Sequence, residues 1–121
     1  PLLELACLGQ RPNGLDAFDL STYRSQSGEI GLLVRGTTGV AMASGLHHYL
    51  KHFAGRHISW GLNGSGNNLA PLPAIPWISG GCLRWESTVK WRHYMNPCTH
   101  SYSAIGWDWS RWEEELDWMA L

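Results

Sequence analysis

Between residues 63 and 81 the chain carries four glycines (Gly64, Gly66, Gly80 and Gly81) and three prolines (Pro71, Pro73 and Pro76). Glycine raises the entropy cost of ordering the backbone, and proline lacks the N–H that a helix or ladder needs. No regular element runs through such a stretch, which predicts a loop and an extended linker over the surface. The hydrophobic pattern is thereby cut into two parts. With 121 residues in total, the chain has the length of one domain (~100–200 residues) and falls short of the roughly 250 of a complete (β/α)₈ barrel.

Upstream of the break, residues 15–23 place Phe18, Leu20 and Thr22 on one side of a strand entered through the Pro12-Asn13-Gly14 turn. Residues 29–35, Glu-Ile-Gly-Leu-Leu-Val-Arg, form a nearly continuous apolar run, the pattern of a buried strand. After the turn Gly36-Thr37-Thr38-Gly39, a helix is predicted from Val40 to Phe53, with Met42, Leu46, Tyr49, Leu50 and Phe53 on one stripe. Gly45 inside it costs ~1 kcal/mol against alanine, which a close approach to a sheet would offset. Gly55 stands where a helix stop belongs. Residues 57–62 alternate Ile58, Trp60 and Leu62 on one face, a further strand. Downstream, Thr88 to Cys98 reads as a strand entering a turn. Ser110 to Leu121 reads as a helix with Ser110 and Glu113 as its capping box and Trp112, Leu116 and Met119 as its buried stripe.

Charge and cysteine content exclude several functions. Nine Lys+Arg against ten Asp+Glu leave no basic excess to drive nucleic-acid binding. No apolar run approaches the ~20 residues of a membrane span. Three cysteines, Cys7, Cys82 and Cys98, cannot all pair within the chain, and no C-x-x-C spacing occurs. Eight tryptophans fit either a core or a surface that stacks flat ligands and sugar faces. Asn63-Gly64-Ser65 is an acceptor sequence for N-glycosylation, with Asn63 as the candidate. The chain starts at Pro1 without a signal peptide and stops at an apolar end, as a fragment would.

Few residue groups are marked out for chemistry. His48 and His52 stand one helical turn apart, a spacing that can chelate a metal, but the pattern places no third ligand, so a partly solvated helix face is expected and no metal. Gly36-Thr37-Thr38-Gly39 lacks the P-loop lysine and the dinucleotide-binding glycine spacing, so it is expected to be a structural turn, with no cofactor. Glycoside hydrolysis usually needs two carboxyl groups. The dense run Glu113-Glu114-Glu115 has a sufficient structural role as a solvated first helical turn, so no catalytic residue is assigned. Residues 94–103, Tyr-Met-Asn-Pro-Cys-Thr-His-Ser-Tyr-Ser, gather amide, thiol, hydroxyl and aromatic groups at a strand end, where α/β folds meet their ligands. Cys98 and His100 lack an orienting third group, so binding is preferred to nucleophilic catalysis.

Together these segments resemble the alpha-N-acetylglucosaminidase family. The likeness rests on Arg35-Gly36-Thr37-Thr38-Gly39-Val40 with Gly45-Leu46-His47-His48-Tyr49-Leu50, on Asn96-Pro97-Cys98-Thr99-His100-Ser101-Tyr102-Ser103, and on Trp107-Asp108-Trp109-Ser110-Arg111-Trp112-Glu113 with Asp117-Trp118-Met119-Ala120-Leu121. It departs at Gly106, at Pro97 and at residues 54–57, which lack the cysteines often found there. The resemblance implies an α/β fold: a small N-terminal sheet-plus-helix domain followed by the first strand and helix of a (β/α)₈ barrel. Residues 1–87 would be the accessory domain, with its linker at 63–81, and 88–121 the truncated start of the catalytic barrel.

By the same resemblance, the complete protein is a lysosomal glycoside hydrolase that removes terminal alpha-linked N-acetylglucosamine from heparan sulfate. Its two catalytic glutamates lie beyond Leu121, and the fragment alone is expected to be inactive. Asn96 and Cys98 are carried over as sugar-contacting positions, and an asparagine amide suits that role with its two donors and two acceptor lone pairs. The partner is the non-reducing end of the glycosaminoglycan. The rival reading is a stand-alone carbohydrate-binding or interaction module with a tryptophan-rich surface. A module should bury the apolar face of the last helix, and a fragment should leave it open.

Overall fold

A computed structural model of the chain describes residues 3–59, 66–94 and 102–121. Four strands form one mixed sheet: β1 (Leu3–Cys7), β2 (Ala17–Arg24), β3 (Ile30–Gly36) and β4 (Cys82–Glu86), in the order β1-β3-β2-β4. β2 and β3 make an antiparallel hairpin in which Leu20 opposes Val34. β1 joins β3 in parallel, and β4 joins β2 antiparallel. The apolar run of β3 follows from its central place, and the alternation of β2 puts Phe18 and Leu20 into the core with Leu32 and Val34. Each such buried side chain stabilises the fold by roughly 1.5–3 kcal/mol relative to exposure.

One helix, α1 (Gly39–His52), covers that face. Thr38 caps it, its hydroxyl accepting from the Ala41 amide at 3.0 Å. Ala41, Gly45 and Tyr49 are the buried positions, flanked by the partly buried Met42, Leu46 and Phe53. Gly45 sits directly over the hairpin: a Cβ there would lie 3.1 Å from Phe18 Cγ and from Val34 Cγ1. Past the helix, Gly55 takes a positive φ of 59° and the Arg56 amide donates to the Leu50 carbonyl at 2.8 Å, so the expected stop is where the turn occurs.

Several expectations are corrected. Residues 3–7, for which the sequence suggested no element, form the outer parallel strand. The expected strand at 57–62 is absent from its described part, residues 57–59, which carry a single bridge from His57 to Asn68; 60–62 lie outside the described residues. Both flanks of the central hairpin are already occupied by β1 and β4, so no ladder position remains beside it. The Gly/Pro stretch is more than a surface linker. Ile78 is buried, Leu72 and Ile75 pack on the core, and the Pro76 carbonyl accepts from the Tyr49 hydroxyl at 2.6 Å. Burial pushes the Tyr49 phenol up to about 12.

The expected strand from Thr88 also fails to form over 88–94. Ser87 turns the chain, its hydroxyl donating to the Val89 carbonyl at 2.7 Å and accepting from the Val89 amide at 3.3 Å, and this local bonding competes with a ladder. The remaining elements are a 3₁₀ turn (Tyr102–Gly106) and helix α2 (Trp109–Ala120).

The sheet face opposite α1 holds a buried carboxylate. Asp19 is 1% exposed and accepts from Arg84 Nε and a second Arg84 nitrogen, both at 2.6 Å, with Arg35 at 3.3 Å. Cross-strand pairing puts Asp19 opposite both arginines, Arg35 in β3 and Arg84 in β4. The Arg84 hydrogen bonds hold the Asp19 carboxyl below its ordinary range, outweighing the opposing effect of burial.

Two outcomes follow for stability. Gly45→Ala should destabilise the protein by about 1 kcal/mol, because overpacking against Phe18 and Val34 exceeds the gain in helix propensity; the denaturant midpoint would show it. Asp19→Asn should cost about 1–3 kcal/mol at neutral pH. A depressed carboxyl stabilises above its unfolded pKa and loses that contribution as pH falls through its folded one. The difference between Asp19→Asn and the native protein should therefore shrink with acidification below about pH 4, as chemical melts across pH would measure.

Candidate functional site

The polar segment singled out in the sequence, 94–103, is preceded and followed by residues with defined side-chain contacts. On its approach, Arg92 donates to Asp16 at 2.6 Å and to the Ser87 hydroxyl at 3.2 Å. Asp16 also accepts from the hydroxyls of Thr37 (3.2 Å) and Thr38 (3.0 Å). The residues before the segment are thus fastened to the start of β2 and to the cap of α1. Hydrogen bonding from Arg92, ahead of the opposing desolvation, lowers the Asp16 pKa. Gly36-Thr37-Thr38-Gly39 is the structural turn expected: Thr37 accepts from the Ala17 amide at 3.0 Å while Thr38 caps α1.

Tyr94 reaches α2 instead. Its ring meets Trp118 edge-on with centroids 5.4 Å apart. Burial, then a hydrogen bond to the Glu115 carboxylate, raises its phenol pKa. Beyond the segment, Trp107 meets Trp112 at 5.0 Å, and the Arg111 guanidinium lies 4.1 Å from the centroid of Trp107. Arg111 also pairs with Glu115 at 2.9 Å, one helical turn on.

Three features of α2 differ from the sequence reading. Its cap is Asp108, whose carboxylate accepts from the Arg111 amide at 2.9 Å, so Ser110 lies inside the first turn and forms no capping box. An ionised carboxylate one residue before Trp109 is a strong cap, and it starts the helix earlier. Glu115 is 1% exposed rather than solvated, held by Arg111 and Tyr94. The inward stripe therefore runs through Arg111, Trp112, Glu115 and Trp118, while Leu116 and Met119 are exposed together with Trp109.

The candidate sugar contacts Asn96 and Cys98, with His100, lie outside the described residues, as does the glycosylation candidate Asn63. Cys7 and Cys82 are free and exposed. His48 and His52 meet at a tilt with centroids 4.3 Å apart, and His48 also packs against Trp85 at 5.2 Å and Phe18 at 5.6 Å. Burial, then the charges of His52 and Lys51, lowers the His48 pKa. Among the described residues no three His, Cys, Asp or Glu side chains come together as metal ligands. What sequence reasoning missed was the anchoring role of Asp16, Arg92 and Tyr94. Asp16 carried no signal separating it from any acid near a turn.

The capping geometry has a direct consequence. Asp108→Ala should lower stability by about 0.5–2 kcal/mol, whereas Ser110→Ala should leave the denaturant midpoint nearly unchanged.

Comparison with known proteins agrees with this architecture. Residues 3–76 match the N-terminal domain of alpha-N-acetylglucosaminidase, and residues 92–121 match its TIM-barrel domain. The chain is 47% identical over 111 residues to a human alpha-N-acetylglucosaminidase, covering 89% of this chain and 13% of that protein. Among solved structures, it superimposes on a family 89 glycoside hydrolase from Clostridium perfringens in complex with its substrate GlcNAc-alpha-1,4-galactose, with a TM-score of 0.76 and 31% identity. A family 89 glycoside hydrolase from Clostridium perfringens in complex with 2-acetamido-1,2-dideoxynojirmycin gives a TM-score of 0.76 and 33% identity. Each comparison covers 98% of this chain and 12% of that one. A mixed four-stranded sheet with its helix, leading into the first helix of a barrel, together with these matches, shows that the chain belongs to the alpha-N-acetylglucosaminidase family.

Proposed function

We propose that the protein containing this chain is a glycoside hydrolase that cleaves terminal alpha-linked N-acetylglucosamine from heparan sulfate in the lysosome. These 121 residues would supply the accessory domain and one wall of the substrate pocket. The observation that carries the reading is the match to both family domains in the family's order along one chain. The substrate class draws support from the Clostridium perfringens relative, whose complex contains an alpha-linked GlcNAc disaccharide.

The division would fall between residues 87 and 88, after β4 and at the Ser87 turn. Asn96 and Cys98 would contact the sugar at the end of the first barrel strand, and Asn63 would carry a glycan. The reacting carboxylates would lie beyond residue 121. Several acids of the chain have structural partners: Asp16, Asp19, Glu86 and Glu115 are each engaged by arginine, and Asp108 caps α2. The exposed Trp109, Leu116 and Met119 favour a helix packed on further barrel over a self-contained binding module.

Hydrolysis of a chromogenic alpha-N-acetylglucosaminide by the full-length protein tests the reading. Asn96→Ala should lower kcat/KM by about 10–100-fold with little loss of stability, as expected when a hydrogen bond to the sugar is removed. A strongly lowered Tm with unchanged kcat/KM would make Asn96 structural. Cys98→Ala should give a modest loss. Glu113→Gln and Glu114→Gln should keep kcat within about twofold; abolished turnover would place catalysis in this chain.

A further inference from the structure

Asp16 stands between two clefts of similar size. One, of about 220 Å³, is lined by Phe18, Trp85 and Arg92; the other, of about 280 Å³, by Arg11 and Lys90. Asp16 lines both. The first cleft offers an aromatic surface. Trp85 is 55% exposed although its ring packs against His48, and an indole face of this kind suits the apolar C–H face of a pyranose.

Charged side chains line both clefts: Arg92 the first, Arg11 and Lys90 the second. Arg92 is paired with Asp16 at 2.6 Å and Arg11 with Glu86 at 2.7 Å, so those charges are compensated. Lys90 has no ion-pair partner among the described residues; its ammonium lies 5.6 Å from the centroid of Trp91. Three cations thus face two carboxylates around this groove, an excess that favours a negatively charged ligand.

We propose that the groove around Asp16 binds an anionic saccharide, a carboxylate- or sulfate-bearing pyranose, with Trp85 under the ring and Lys90 at the charged group. This is a binding site on the accessory domain, apart from the pocket wall assigned to Asn96 and Cys98. It would hold a glycosaminoglycan away from its reacting end. The inference rests on the reading of the protein as an enzyme of glycosaminoglycans.

The test uses the full-length protein and a fluorescent heparan sulfate octasaccharide whose non-reducing end is a uronic acid, so that it offers no terminal N-acetylglucosamine. Binding is followed by anisotropy at low salt. Lys90→Gln, on an exposed side chain, should weaken binding by about 3–10-fold and reduce its salt dependence. Trp85→Ala should weaken it by about tenfold. Turnover of the small chromogenic substrate should be unchanged in both. Should Trp85→Ala fail to fold, Lys90→Gln decides alone. Native-like affinity in Lys90→Gln overturns the proposal. So does full displacement of the octasaccharide by 2-acetamido-1,2-dideoxynojirmycin, or equal binding of its desulfated, carboxyl-reduced form. Loss of the chromogenic reaction in the native protein would instead count against the glycosidase reading, since the binding measurement does not depend on it.

Discussion

Close approach of α1 to the β2–β3 hairpin at Gly45 is the constraint on which the other contacts depend. A Cβ at that position would lie 3.1 Å from Phe18 and Val34, so a side chain there fits only if helix or sheet gives way. The helix therefore rests at a fixed height and rotation. Its flanking positions then reach outward: His48 to Trp85 of the edge strand, Tyr49 to the Pro76 carbonyl, and Ser44 and His47 to the Ala120 and Leu121 carbonyls at 3.5 and 3.3 Å. These last contacts give carbonyls at the end of α2, which lack partners within that helix, hydrogen bonds from the accessory sheet's own helix. A change at Gly45 would be felt at every one of them.

Carboxylates in this chain organise structure. Asp19 and Glu115 are both 1% exposed, and each is matched by arginine across a ladder or along a helix turn. The geometry leaves one partner of each pair nearer to solvent: Arg84 lies half-exposed over Asp19. Such pairs contribute chiefly through the cost of leaving a buried charge alone. Asp16 does the same work at a junction, joining Thr37, Thr38 and Arg92, and so fixing how the chain leaves the sheet for the barrel. Acids already committed to arginine and hydroxyl partners are poorly suited to shuttle protons to a glycosidic oxygen.

Much of this architecture was legible in the sequence. The alternation of Phe18, Leu20 and Thr22, the apolar run 30–34, and the stripe Met42-Leu46-Tyr49 each encode one face through a local period of two or 3.6, and each element formed within one or two residues of expectation. The motifs at 35–50 and 96–121 carried the family as well. Local chemistry was ambiguous at the start of α2. Ser110 fits a cap by residue type, yet Asp108 caps the helix, and packing of α2 buries Glu115 while leaving Leu116 and Met119 exposed.

What tertiary structure alone decided was pairing and compensation. β1 and β4 are short segments whose strand character depends on lying beside β3 and β2, while His57 pairs locally with Asn68. The Gly/Pro stretch reads as linker because its backbone is irregular, yet irregular backbone still buries Ile78 once the sheet offers an apolar face. Arg84 finds Asp19 across 65 residues of chain, and Arg92 finds Asp16 across 76. Hydrophobic period is a property of neighbours in sequence and so can be read there. Which cation meets which carboxylate depends on where the folded chain brings them together.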